Sequence, residues 1–243
     1  MFRHTKSSTN IVRPFAKTDH NESGHYYITE DGKRYPSITT VLKILDKKEW
    51  YGYWVTSVAK KMNISETDAK LECQRIGKSS MEIGTVLHEI AEDWLNNILP
   101  HVPLKEYEID VIELFKPLGD HLDSHVNNIY GLEKQIYSDE LQLAGTADCI
   151  AEYDGVPSII DFKNSRKPKS KSQCDSKDYF IQLCAYGKMW EFCTGQKIEQ
   201  GVILVISWDG KVKSHIVKLA DYEADLMQKL ILIEQQEALN TMS

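Results

Sequence analysis

Apolar and polar positions follow two periods along this chain, and the change between them marks its centre. From Ala144 to Lys163 the sequence reads AGTADCIAEYDGVPSIIDFK. Two short runs rich in apolar and β-favouring residues flank Asp154-Gly155, which predicts a hairpin with a two-residue turn. Side chains alternate along a strand, so Asp161 and Lys163 emerge on one face. Asp148 lies on the partner strand and can share that face.

Upstream the pattern is mostly helical. His25 to Tyr35 reads as a small hairpin around Asp31-Gly32. Ser37 then caps a helix with Ile38, Val41, Leu42 and Leu45 on one side. A second helix is expected from about Lys48 to Met62, dense in aromatics with Trp50, Tyr51, Tyr53 and Trp54. Ser65 to Asp68 is a capping-box signal for a third helix ending near Gly77. Ser80 to Leu99 reads as a separate, longer helix with Leu87, Ile90, Ala91, Trp94 and Ile98 buried. On it His88 and Glu92 are neighbours four residues apart. Gly84-Thr85 leaves room there for a close backbone or phosphate approach. A further helix, bent at Pro117, is expected from Tyr107 to Ile129.

Downstream the strands gather. Leu132 to Tyr137 is one strand, followed by the central hairpin. Asn164 to Lys177 reads as a polar loop with five basic residues, Arg166, Lys167, Lys169, Lys171 and Lys177. Asp178 to Thr194 returns to helix, stopped by Gly195, with Gln182 and Tyr186 on one side. Gly201 to Ser207 is continuously apolar, as for a strand covered on both faces. Lys211 to Leu219 pairs with it across Asp209-Gly210, and Asp221 to Leu239 closes as an amphipathic helix. This order predicts an α/β or α+β core with a helical N-terminal part. The parts divide at residues 1–79 and 80–243, as one compact unit with no internal repeat.

Composition narrows the class. With 243 residues, 42% of them hydrophobic, the chain can build a sizeable core. No apolar run approaches the roughly 20 residues that span a bilayer, and there is no secretory h-region. Five cysteines without a CxxC pair point to a reducing compartment. A net charge of −7 argues against a passive nucleic-acid coat but allows an enzyme with a local basic groove. The basic, acid-free stretch from Met1 to Lys17 fits a frayed polar terminus better than an organelle transit segment.

The chemistry centres on the hairpin. Asp161 follows the apolar run VPSII without a turn, and an acid at a buried strand end normally has a partner or ligand. Two carboxylates with a lysine can hold a divalent metal and position a water on a phosphodiester. A structural Asp–Lys pair at a sheet edge explains the same spacing equally well. His88 would complete a mixed ligand set suited to Mn²⁺ or, with waters, Mg²⁺, although a lone helical histidine is more often a satisfied polar residue. Glu92 and Glu133 are further, supporting acids. The basic loop is either solvated or a phosphate neutraliser. Four aromatics within five positions cannot all face one core, so at least one is free for base stacking.

GTVLHEIAE (Gly84 to Glu92), GTAD (Gly145 to Asp148), DFK (Asp161 to Lys163) and QLCAY (Gln182 to Tyr186) occur in the order and spacing of one family. The chain resembles the PD-(D/E)XK nuclease superfamily, and within it the RecB-like branch of mitochondrial genome-maintenance and phage exonucleases. YPSITTVL (Tyr35 to Leu42) is similar to the N-terminal segment of those single-strand exonucleases. Ala147-Asp148 stands where the literal motif has Pro-Asp.

The resemblance implies a restriction-endonuclease-like mixed central sheet flanked by helices. It implies metal binding by His88, Asp148, Asp161 and the Phe162 carbonyl, with Mg²⁺ or Mn²⁺ as cofactor. Asp148, Asp161 and Lys163 would be catalytic. Gln182 and Tyr186 would support the site or contact substrate. Apart from the resemblance, the basic loop offers Arg166, Lys167 and Lys169, and the aromatic-dense helix Trp50 and Trp54, as candidate substrate contacts. The cysteine spacing does not fit the iron–sulfur cluster of some relatives, so none is expected. The implied function is a metal-dependent DNA exonuclease on single strands or flaps, in replication, recombination or repair. Replication or recombination proteins would be partners. The cytoplasm of a bacterium or an infected host cell is the expected compartment, with the mitochondrial matrix as the alternative. A structure-selective endonuclease and a catalytically silent DNA-binding module are the competing readings.

Overall fold

A small antiparallel sheet opens the chain: β1 (Lys17–Asn21), β2 (Gly24–Ile28) and β3 (Arg34–Pro36), in that spatial order. The structure is a computed structural model and describes residues 1–5, 17–21, 24–45, 49–102 and 106–241. β2 and β3 are the hairpin expected around Asp31-Gly32, with Ile28 opposite Arg34. β1 was not foreseen, because KTDHN has no apolar alternation to mark it. Residues 6–16 of the basic terminus lie outside the described residues. Phe2 to Thr5 are not frayed: Ile129 N donates to Arg3 O at 2.7 Å and Thr5 N to Ile129 O at 2.8 Å.

The N-terminal helices follow. α1 (Ile38–Leu45) starts where Thr40 N donates to Ser37 Oγ at 3.0 Å, and it buries Ile38, Val41 and Leu42. α2 (Glu49–Met62) lies against the first half of α3 (Glu66–Leu95). α3 is one helix where two were expected. Ser65 caps it as predicted, accepting from Asp68 N at 3.1 Å. Gly77 does not end it, because no capping group follows and its surroundings are open. Ser79 turns to Glu108 instead, donating at 2.7 Å. The boundary drawn at residue 79 therefore falls inside a continuous helix.

α4 (Val111–His125) is shorter than expected at both ends. It begins where Asp110 accepts from Ile112 N and Glu113 N at 3.0 and 3.1 Å. It stops at His125 because Val126 is already paired opposite Tyr153. Strand pairing thus overrides the helical pattern, and β4 (Val126–Ser138) starts six residues before the predicted Leu132. β5 (Leu143–Tyr153) and β6 (Val156–Ser165) form the central hairpin. Its turn residues Asp154 and Gly155 have φ angles of 52° and 78°, as a two-residue hairpin requires.

The expected polar loop contains a short helix, α5 (Lys171–Asp175), set by a capping box between Ser170 and Gln173. α6 (Tyr179–Thr194) ends at Gly195, whose φ is 71°. β7 (Gln200–Ser207) and β8 (Val212–Lys218) lead through a single 3₁₀ turn to α7 (Glu223–Thr241). The five strands run β4-β5-β6-β7-β8, with β6 and β7 parallel and the other neighbours antiparallel. This is the mixed central sheet flanked by helices that was expected.

Each sheet face has its own core. α3 and α4 cover one face, where Leu87, Ile90, Leu118 and Leu122 meet Ile160, Phe162, Val202 and Leu204. α1, α6 and α7 cover the other, where Phe180, Leu183 and Trp190 meet Ile150, Ile159, Ile203 and Val205. β7 is buried on both sides, as its continuous apolar run requires. Among the described residues no helix is long and apolar enough to cross a membrane.

The Asp110 cap gives a direct check. Asp110→Ala leaves two α4 amides without their acceptor and is expected to cost about 1 kcal/mol. The measurement is the urea midpoint, which should fall with an unchanged slope. An unchanged midpoint would mean that the tertiary contacts of α4 set its start without the cap.

Candidate active site

The site is built where the sheet forks. β5 and β6 pair from Tyr153 and Val156 back to Cys149 and Ile160, and there the ladder ends. β4 stays with β5 through Ser138 and Leu143, and β7 stays with β6 through Ser165 and Ser207. Asp148 and Asp161 are the first residues past the split. Asp148 Oδ2 accepts the Phe162 N–H at 2.8 Å, so a side chain replaces the missing backbone partner.

α3 brings His88 to the fork. Its Nε2 lies 2.9 Å from the Phe162 carbonyl, which can only accept. Nε2 therefore carries a proton, and Nδ1 lies 3.5 Å from Asp148 Oδ2. The Phe162 carbonyl, expected as a metal ligand, is here the group that orients His88.

β4 adds Glu133, which the register sets opposite Asp148 where the ladder skips a pair. Its φ of 43° is left-handed, an uncommon conformation for a residue with a side chain. Ligand-capable atoms of His88, Glu133 and Asp148 all lie within 4.8 Å of one another. Burial, then the Asp148 carboxylate, pushes Glu133 up to about 7. Glu92 adds to that repulsion and lines a groove beside the site with Thr85, His88, Glu89 and Glu133.

Asp161 is held apart from this trio. It is 1% exposed. Oδ1 accepts from Gln182 Nε2 at 3.1 Å, and Lys163 Nζ stands 2.5 Å from Oδ2. That second oxygen has no partner in hydrogen-bond geometry. Burial lifts the Asp161 carboxyl to about 6, with the Lys163 ammonium opposing the shift. Burial alone would lower the Lys163 pKa, but the Asp161 and Asp148 carboxylates outweigh it and raise it. The pair is thus ionised at neutral pH.

Gln182 and Tyr186 are both buried, and Gln182 Nε2 also donates to the Tyr186 hydroxyl at 3.0 Å. They brace Asp161 rather than face an open surface. Gly145 makes room for that brace: a Cβ there would lie 2.7 Å from Tyr186 Cε1. The space expected at Gly84 is taken, since Asn164 Nδ2 would meet a Cβ there at 2.5 Å. Asn164 donates to Ser80 O at 2.9 Å and ties β6 to α3.

The remaining predicted contacts disperse. Arg166 donates to both Glu108 carboxylate oxygens at 2.7 Å and stacks 4.3 Å over Trp208. Lys167 is exposed, and Lys169 donates to Ser165 Oγ at 2.8 Å. Trp54 packs against Tyr51 in a small cluster with Val55, Ala69 and Cys73. The exposed aromatic of α2 is Tyr53, at 76%. The Trp50 side chain lies outside the described residues. Two residues went unnoticed in the sequence. Asn164 looked like loop polarity, and Tyr179, whose ring centroid is 5.0 Å from Lys163 Nζ, fell within the predicted helix without a role.

The donor set fits a hard or borderline divalent cation: two carboxylates and one imidazole. Asp161 Oδ2, in ion-pair contact with the Lys163 ammonium, is a further oxygen beside it. Crowding acids also has a cost that can be read. Glu133 binds its proton more tightly folded than unfolded, so stability falls as pH rises from about 4.5 to about 7. Glu133→Gln, in chelator, is expected to stabilise the protein at pH 8 by on the order of 1–2 kcal/mol after solvent screening. At pH 4 the gain should vanish. Thermal melts at both pH values check this, and equal shifts at the two would remove the charge argument.

No family model matches the chain. It is 30% identical over 130 residues to the human protein named mitochondrial genome maintenance exonuclease 1, covering 52% of this chain and 37% of that one. It is 36% identical over 66 residues to the Xenopus tropicalis protein of the same name, covering 27% of this chain and 19% of that one. The chain thus spans well under half the length of these curated relatives. Among solved structures, one titled "Crystal structure of SSO0001" superposes with a TM-score of 0.28 and 19% identity, over 42% of this chain and 50% of that one. A likeness that low bears on neither fold nor function. The sequence similarity is to nucleases named for DNA maintenance, and it accompanies a fork that gathers His88, Glu133, Asp148, Asp161 and Lys163.

Proposed function

We propose that the chain is a metal-dependent DNA exonuclease acting at single-stranded ends or flaps, in replication, recombination or repair. The observation that carries this reading is the fork itself. It sets a three-residue donor set beside a buried Asp–Lys pair at the open end of two strands. The similarity to proteins named as exonucleases supports the substrate class.

His88, Glu133 and Asp148 would hold the cation, with Asp161 Oδ2 within the same opening. A cation there would lower the pKa of a water and offset charge on the scissile phosphate. Phe162 O keeps His88 in the tautomer that leaves Nδ1 free. Asp161 holds the Lys163 ammonium, and Lys163 donates to the attacking water or to the phosphoryl oxygen as its charge grows. Gln182 and Tyr186 fix Asp161, so the ammonium is positioned before substrate arrives. The five cysteines are buried and unpaired, which favours a reducing compartment. The proposal keeps the cytoplasm of a bacterium or infected cell, although the similar proteins are by name mitochondrial. Replication or recombination proteins remain its proposed partners.

End-labelled linear single strands, closed single-stranded circles and blunt duplexes are incubated with Mg²⁺, with Mn²⁺ and with chelator. Loss of the linear strand alone, with metal only, is the expected result. Asp161→Asn should abolish it while binding in chelator persists. Lys163→Ala should lower kcat by about 10²–10³ without moving the metal midpoint. Cutting of circles would make the protein an endonuclease. Tight binding with no cutting in either metal would leave a silent DNA-binding module. Metal should also act on the fold. Mn²⁺ at about 100 times its Kd is expected to add about 2.7 kcal/mol to wild-type stability and much less to Asp148→Asn. Equal gains in the two proteins would move the cation away from the fork.

A further inference from the structure

We propose that Lys169 and Ser165 form a phosphate subsite for the substrate strand, next to the one that meets Lys163. The inference rests on the nuclease reading and says which of the basic residues after β6 serves it.

Strand alternation sets the placement. Asp161, Lys163 and Ser165 lie two residues apart along β6 and share one face. Two residues of strand advance about 6.7 Å, comparable to the separation of neighbouring phosphates along a nucleic-acid strand. If Lys163 meets the scissile phosphate, the Ser165 hydroxyl stands where the next phosphate falls. Lys169 reaches that point from the following segment, its Nζ donating to Ser165 Oγ at 2.8 Å.

Most of the partly buried cations have an acidic partner, and Lys171, which donates to the Ile216 carbonyl at 3.0 Å, is exposed where Lys169 is not. Arg166 is held by Glu108, Lys163 by Asp161, Lys188 by Glu223 and Lys229 by Asp178. Lys169 is half-buried, and among the described residues a neutral hydroxyl is its one side-chain hydrogen-bond partner. Burial lowers its pKa, and the ammonium groups of Lys177 and Lys163 lower it further. A partly desolvated ammonium flanked by cations is costly to keep unless an anion joins it. A phosphate oxygen supplies that anion, and lysine binds phosphate as a point charge. Arg166 cannot do the same without leaving Glu108 and Trp208. Lys167 is exposed, so its ammonium stays hydrated without an anion.

The test compares wild-type protein with Lys169→Met, which keeps the buried stem and removes the charge. A labelled single strand is titrated in chelator across a range of salt. Binding is expected to weaken about tenfold, with a salt slope shallower by about 0.7, the share of one phosphate on a single strand. The thermal midpoint should hold or rise, whereas a purely structural lysine would lower it. Lys169→Arg should retain binding. A second set of strands carries one neutral methylphosphonate, moved along the linkages. At the linkage beside the cut it should weaken wild-type binding and cost Lys169→Met nothing more. Unchanged affinity and slope in Lys169→Met, or additive losses at every linkage, would overturn the subsite. Inorganic phosphate separates the two readings. It should raise the wild-type midpoint and leave that of Lys169→Met unmoved. If it does so in a protein that cuts no strand, the nuclease reading fails and the subsite stands. If it shifts both midpoints alike, the subsite fails whatever the protein cuts.

Discussion

The bond from Phe162 N–H to Asp148 Oδ2 is the interaction on which the site depends. Two adjacent strands that separate inside a sheet strand their amides, and a buried unpaired N–H costs about 1–3 kcal/mol. At the split between β5 and β6 the Asp148 carboxylate takes that role at 2.8 Å. The strands can then diverge without an orphaned donor. Divergence is what turns the β5 side of Asp161 and Lys163 to the fork rather than to a neighbouring strand, while Asp161 stays buried. β4 and β7 hold the two arms, since each stays paired to its own side past the split. One side chain therefore serves the fold and the chemistry together, which is why an aspartate is tolerated at a strand position that disfavours it.

Around that bond the charges are arranged under tension. Glu133, Asp148 and Asp161 all repel one another, and Glu133 also sits in a left-handed backbone conformation. Only Asp161 has a cation of its own, and Gln182 and Tyr186 stiffen that pair from below. Strain of this kind persists when surrounding structure over-determines it. Here two apolar cores, one on each face of the sheet, supply that constraint. Under the proposed function, a group of acids that costs stability in the bare protein would gain it back when a divalent cation joins them. The same feature that weakens the fold is the one that selects a ligand.

Local signals were legible in the sequence, and tertiary ones were not. Asp154-Gly155, the Gly195 stop, the Ser65 cap and the apolar run of β7 each act within a few residues, and each appears as read. Gln182 and Tyr186 lie together because helix spacing puts them so, but the hydrogen bond from Gln182 to Asp161 was not readable in the sequence. Gly77 read as a break because glycine often is one, yet the helix runs on where nothing competes for its backbone. Val126 to Ile129 read as helix because its pattern is helical, and pairing with β5 overrode it. Glu133 could be named only as a supporting acid, since its place depends on an irregular β4 register and a positive φ. Arg166 looked free in a basic loop, and its partner Glu108 lies 58 residues earlier.

The net charge of −7 seems at odds with a polyanionic substrate until the charges are located. The fork has two unlike lips. Glu89, Glu92 and Glu133 line the groove on the α3 and β4 side, while Lys163 and Lys169 follow the β6 side. A nucleic-acid strand alone is repelled by the first lip and drawn to the second. Under the proposed function, a cation bound at the seam would offset the charge of the acidic lip where the scissile phosphate would sit. Substrate position would then be set by which lip carries cations of its own and which needs one supplied. An acidic protein can engage DNA this way with few lysines, because attraction is confined to the place where the chemistry occurs.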